Sequence, residues 1–173
     1  MAITPDDKDW TWVLERPCPD CEFDARAIDV DATPLLLRDL AGSWRDVLGR
    51  DDVDQRPAPD KWSPLEYACH VRDVFRLFDT RLQLMLANDG ARFENWDQDK
   101  TAIEDRYDLQ DPGDVSEQLV AASEVLADRF ALVEGPLWAH RGIRSNGSEF
   151  TVTTFALYLL HDPIHHLWDV RVG

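Results

Sequence analysis

The sequence predicts an all-α protein, a four-helix bundle carrying an N-terminal extension. Three observations lead to that fold class. Four segments repeat apolar residues at helical spacing between recognisable start and stop signals. No run alternates apolar and polar residues as a half-buried strand would. A chain of 173 residues, 44% hydrophobic and 30% charged, suits one domain with a single core. The expected division is residues 1–28 as the extension and 29–173 as the bundle.

The first helix is expected from about Thr33 to Leu48. Thr33 serves as cap, Pro34 stands at the first helical position, and Leu36, Leu40, Trp44, Val47 and Leu48 form its apolar stripe before Gly49. The second opens on Ser63-Pro64-Leu65-Glu66, a capping box with proline at its first position, and runs to about Asn88-Asp89-Gly90. The third is expected to open at Asp114-Val115-Ser116-Glu117. It lines one face with Leu119, Ala122, Leu126, Phe130 and Val133, and Glu134-Gly135-Pro136 stops it. The fourth begins near Phe150 or Thr151. Of the connections, residues 89–113 are long for a structureless loop, which implies a functional segment or a short helix of its own.

Charge excludes some functions. The balance of 34 Asp+Glu against 18 Lys+Arg leaves a formal −16, with no segregated basic patch, which argues against nucleic acids and anionic membranes as partners. No apolar run reaches a membrane span, and the N-terminus shows neither a basic start nor an apolar signal core, so a cytoplasmic protein is expected.

The stretch YLLHDPIHHLWDV, residues 158–170, holds three of the five histidines. Residues four apart share a helix face, so His161 and His165 are spaced to share a metal ion. His70, among Tyr67, Val74 and Leu77 on the second helix, is the expected third ligand, with open positions left for water or substrate. The alternative is that these are helix-end histidines bonded to backbone or carboxylates. Pro163 falls between the two. It implies either a kink or a new short helix capped by Asp162. His166 projects about 100° from His165 and suits a carboxylate bond or a packing contact. It also belongs, with Asp73 and Asp169, among the groups that could orient the ligands.

Two stretches together resemble a known family. WSPLEYACHVRD, residues 62–73, is similar to the Trp-Ser-x-x-Glu-x-x-x-His-x-x-Asp motif of the DinB-like superfamily, and LHDPIHHLWDV is similar to its C-terminal His-x-x-x-His. The resemblance runs from about Thr33 to the C-terminus. It implies a four-helix bundle holding a divalent metal, zinc or nickel foremost, on His70, His161 and His165. Relatives include mycothiol-dependent maleylpyruvate isomerase and S-transferases that use mycothiol, bacillithiol or glutathione. Many relatives follow the last histidine with Arg-Gly. Here His166 and Leu167 follow it, as in an actinobacterial-type variant.

The expected function is therefore a metal-dependent thiol S-transferase, isomerase or hydrolase, with mycothiol as a candidate cosubstrate and a small-molecule electrophile or thiol as partner. A bound cation would generate the thiolate or hydroxide nucleophile. Arg141 and Arg144 are candidates to hold a substrate carboxylate, and Trp96 and Tyr107 to roof the site. The alternative is a non-catalytic metal- or small-molecule-binding bundle, with a homodimer joined by bundle faces as its candidate assembly. Cys18 and Cys21 form a lone Cys-x-x-Cys, read as a second metal site, a redox pair or a disulfide, while Cys69 is expected as a small buried residue.

Overall fold

In the computed structural model the described residues are 3 and 9–172. The opening residues on which the reading of the N-terminus rested lie largely outside them.

Four long helices make the bundle: α1 (Thr33–Leu48), α2 (Pro64–Ala87), α4 (Pro112–Phe130) and α5 (Val152–Val172). A short α3 (Gln98–Glu104) lies within the long connection, as that length implied. Helix α4 packs along both α1 and α2, and α5 closes the bundle against the same two. Trp44, Phe75, Leu119, Leu126, Phe130, Phe155 and Leu159 fill the centre. Before α1, 3-10 turns at Thr11–Leu14 and Ala25–Ala27 lie on α5.

The capping box of α2 forms as read: Ser63 Oγ accepts from Glu66 N–H while the Glu66 carboxylate accepts from Ser63 N–H. Glu66 is buried, and Arg56 pairs with it. Two other starts differ. Thr33 does not cap α1; its hydroxyl donates to Val30 O at 2.6 Å, because a 3-10 turn leads directly into the helix. Asp111, not Asp114, caps the helix before Pro112, since proline is better placed at the first helical position than before a later start. The buried stripe of α1 is Leu37, Ala41, Trp44, Val47 and Leu48, turned one residue from the expected one, with Leu36 and Leu40 half-buried beside it.

A small sheet was not expected. Strands β1 (Ala91–Phe93), β2 (Arg141–Arg144) and β3 (Glu149–Thr151) pair in that order, β1 parallel to β2 and β2 antiparallel to β3. At three or four residues each, they are too short to show an alternating pattern. Phe150 and Thr151, expected in the last helix, belong to β3, and α5 begins one residue later. The sheet sits on α2 so closely that a Cβ on Gly142 would lie 2.7 Å from both Met85 Sδ and Phe93 Cε1. Its β2–β3 hairpin carries Arg144, Asn146 and Ser148 to the rim of a cavity at the end of the bundle.

Candidate metal centre

Helix α5 runs through Pro163 without a break. The proline is buried, and Trp44 on α1 donates its indole N–H to Pro163 O at 3.3 Å, anchoring the helix at that point. Helical spacing therefore acts twice. His161 and His165 stand on one face, ring centroids 5.1 Å apart, and Asp162 and His166 stand on the adjacent face. The first pair meets the N-terminal segment, and the second meets α2.

On the α2 side, His70 Nε2 lies 3.2 Å from Asp162 Oδ2, and His166 Nε2 lies 3.8 Å from the same oxygen. His70, Asp162 and His166 can each offer one ligand atom, and these lie within 4.8 Å of one another. Burial would raise the Asp162 carboxyl, but the neighbouring His70 and His166 imidazoles hold it down at about 2. An ionised carboxylate can only accept, so His70 donates to it. His166 Nδ1 lies 2.8 Å from Asp169 Oδ2, and its Nε2 faces Asp162. Trp96 stacks on His70 with 5.5 Å between centroids and 11° between planes. Tyr67 covers His166 at 4.8 Å.

On the other side, Cys18 and Cys21 stand with His161 and His165, and four ligand atoms again fall within 4.8 Å of one another. Cys18 Sγ is 3.6 Å from His165 Nδ1. The turn that presents the thiols is closed by Cys18 N–H to Phe23 O at 2.8 Å and Glu22 N–H to Cys18 O at 3.0 Å, with Glu22 at φ 62°. Burial lowers His161 to about 4 and also lowers His165, so both rings are neutral at pH 7. Burial pushes the Cys21 thiol up to about 12, with the Cys18 sulfur beside it adding to the shift. Both thiols are free.

His70, Asp162 and His166, together with His161 and His165, border a cavity of about 630 Å³. Arg81, Arg144 and Tyr158 line another part of its wall. Arg81 is 5% exposed, and burial lowers it to about 10, helped by the charge of Arg144. Arg81 donates to Glu94 O at 2.7 Å, but its Nε and that of Arg144 lack hydrogen-bond partners among the described residues. Neither guanidinium forms an ion pair there.

The structure thus divides the three expected histidines: His161 and His165 come together as their spacing implied, but beside the cysteines, while His70 faces Asp162 and His166. Asp73 does not reach His70. It binds Arg72, Arg76 and the Tyr107 hydroxyl, which donates to it at 2.5 Å. Asp169 orients His166 and lies 4.0 Å from His165 Nε2. Trp96 lines the cavity, whereas Tyr107 is fully buried in the core. Arg144 faces the cavity, whereas Arg141 pairs with Asp89 on the surface. Cys69 is buried, as expected. Sequence reasoning passed over Asp162 as a ligand, although the four-residue spacing that singled out His161 and His165 also links Asp162 to His166.

Three comparisons bear on this arrangement. A search of curated proteins finds no match. Among solved structures, YfiT from Bacillus subtilis superposes with a TM-score of 0.73 over 84% of this chain and 89% of that one, at 13% identity. It is described as a probable metal-dependent hydrolase with an unusual four-helix bundle topology. A family model of the DinB superfamily matches residues 31–170. The match spans the bundle and both histidine-bearing helices, and the chain belongs to the DinB superfamily.

Proposed function

We propose that this chain is a divalent-metal-dependent hydrolase acting on a small anionic substrate, with the metal held by His70, Asp162 and His166. The observation that carries this reading is the convergence of those three ligand atoms at the wall of a cavity that also presents two guanidinium groups. The donor set fits a divalent cation such as zinc or nickel. It combines two imidazoles with an ionised carboxylate, and Asp162 Oδ1 has no hydrogen-bond partner among the described residues. Three protein ligands leave a position open, the pattern of a reactive site. When bound, the cation would lower the pKa of a coordinated water or thiol and so supply a nucleophile at neutral pH. YfiT's description as a probable metal-dependent hydrolase supports the same chemistry.

The chain's own residues supply the rest. Asp169 holds the His166 ring at Nδ1, which orients Nε2 toward the metal position. Arg81 and Arg144 bind the anionic group of the substrate. The Tyr158 hydroxyl, kept protonated by burial, is a donor for oxyanion charge. Trp96 covers the His70 ring and limits access of bulk water. A thiol-transfer reading uses the same open position for a sulfur. A cavity of about 630 Å³ is roomy enough for a cosubstrate such as mycothiol.

The test is turnover of small esters and amides bearing a carboxylate or phosphate, by protein loaded with zinc or nickel, with and without added thiols. His70→Ala and His166→Ala are expected to abolish turnover. Asp169→Asn is expected to weaken metal affinity or activity by about 10- to 100-fold. Turnover that survives both histidine changes would overturn the reading, and turnover only with thiol present would replace hydrolysis by transfer.

A further inference from the structure

We infer that Cys18, Cys21, His161 and His165 form a second, closed metal site, a structural zinc centre that fastens the N-terminal segment to α5. The inference is independent of the proposed function and rests on different residues.

The donor set is the first argument. Two sulfurs at Cys-x-x-Cys spacing and two imidazoles at His-x-x-x-His spacing are the ligands and intervals of a tetrahedral Cys2His2 zinc site. Neither pair is specific alone. Here the fold brings them together across 147 positions of sequence, with all four ligand atoms within 4.8 Å. Edges of a zinc tetrahedron with bonds of roughly 2.0–2.3 Å are shorter than that, so a small inward movement of the side chains suffices.

The second argument is an orphaned atom. His161 is 4% exposed, and its Nε2 has no hydrogen-bond partner among the described residues. A buried polar nitrogen left unpaired is costly, and a metal bond removes the cost. The rings beside it are aromatic: Trp10 lies 5.3 Å from His161 and 5.0 Å from His165, and Phe23 lies 5.6 Å from His161. Such a wall shields the donors from water.

Charge is the third. Zinc binding displaces one proton from each thiol, both released to solvent, and leaves two thiolates, two neutral imidazoles and one divalent cation. The assembled centre carries no net charge, which suits a buried position. With four protein ligands it has no open coordination position, in contrast to the group at His70, Asp162 and His166. One site is thus built to hold chain segments, and the other to react. Because Trp10 packs on both ligating rings and also borders the cavity, the closed site fixes one wall of the reactive one.

The experiment uses the full chain, reduced, stripped of metal and reloaded with cobalt, read by absorption and by X-ray absorption after reloading with zinc. The expected result is a thiolate-to-cobalt charge-transfer band with the d–d intensity of tetrahedral cobalt, and zinc–sulfur scattering at roughly 2.3 Å. Those signals persist in His70→Ala and vanish in Cys18→Ser/Cys21→Ser. Zinc is also expected to raise the melting temperature of the wild type by about 10 °C. If the double variant fails to fold, the wild-type spectra still decide. Zinc or cobalt bound with no sulfur ligation, or a Cys18–Cys21 disulfide persisting under mild reduction, would overturn the inference. Loss of turnover in the His70 variant with sulfur ligation intact would bear only on the proposed function.

Discussion

Two aspartates one helical turn beyond a histidine have opposite fates. Asp169 turns back to His166 and orients it. Asp73 turns away from His70 into a buried network with Arg72 and Tyr107. Burial alone would raise the Asp73 carboxyl. The bonds from Arg72 and Tyr107 outweigh it and hold the carboxyl below its ordinary value. Because the folded-state value lies below the unfolded one, the stability Asp73 contributes is fully present at neutral pH. It is lost as pH falls below about 4 and through the folded value. Asp73→Asn is therefore expected to cost about 2 kcal/mol at pH 7, and the difference from wild type should shrink steadily in acid. Urea unfolding of both proteins from pH 7 to pH 3 measures it. A difference independent of pH would show that packing, not charge, holds the network.

Among the elements, α5 and the small sheet decide the site. Helix α5 runs through Pro163, whose carbonyl accepts from Trp44 on α1, and its continuity lets the two side-chain pairs share one turn-to-turn spacing. The sheet places Arg144 opposite them, and it can lie so close to α2 only because residue 142 has no side chain. Gly142→Ala would drive a methyl group into Met85 and Phe93. The expected loss is about 2 kcal/mol, from overpacking in a buried position. A thermal melt of the variant checks this, and an unchanged melting temperature would mean that the Met85 side chain yields freely. Helix boundaries were legible where caps are local: Ser63 through Glu66 announce α2 from four residues. The strands were not legible, since pairings such as Gly142 with Phe150 or Ala91 are made in space between segments too short to carry a period.

For the molecule as a whole, a formal charge of −16 is the dominant long-range property. The two guanidiniums in the cavity are a local exception rather than a basic surface, a distribution expected to admit small anions and repel a polyanion. On that basis no binding to a fluorescent DNA duplex is expected by anisotropy, even at about 50 mM salt where nonspecific contacts are strongest. Saturable, salt-sensitive binding would contradict it. Among the described residues no helix is long and apolar enough to cross a membrane.

By itself the sequence determined the bundle's four helices, most of their ends, and the two histidine-bearing segments that mark the family. These are local properties: a cap needs four residues, and a ligand pair needs one turn of helix. Only the tertiary structure decided which partner each pair meets. Adjacent faces of α5, about 100° apart, are indistinguishable as spacing. What separates them is that one face packs on Cys18 and Cys21 and the other on His70, and those contacts join segments far apart in the chain. Spacing can state that two imidazoles are able to share an ion. The packing of distant segments determines whether the next group they meet is a thiol or another histidine.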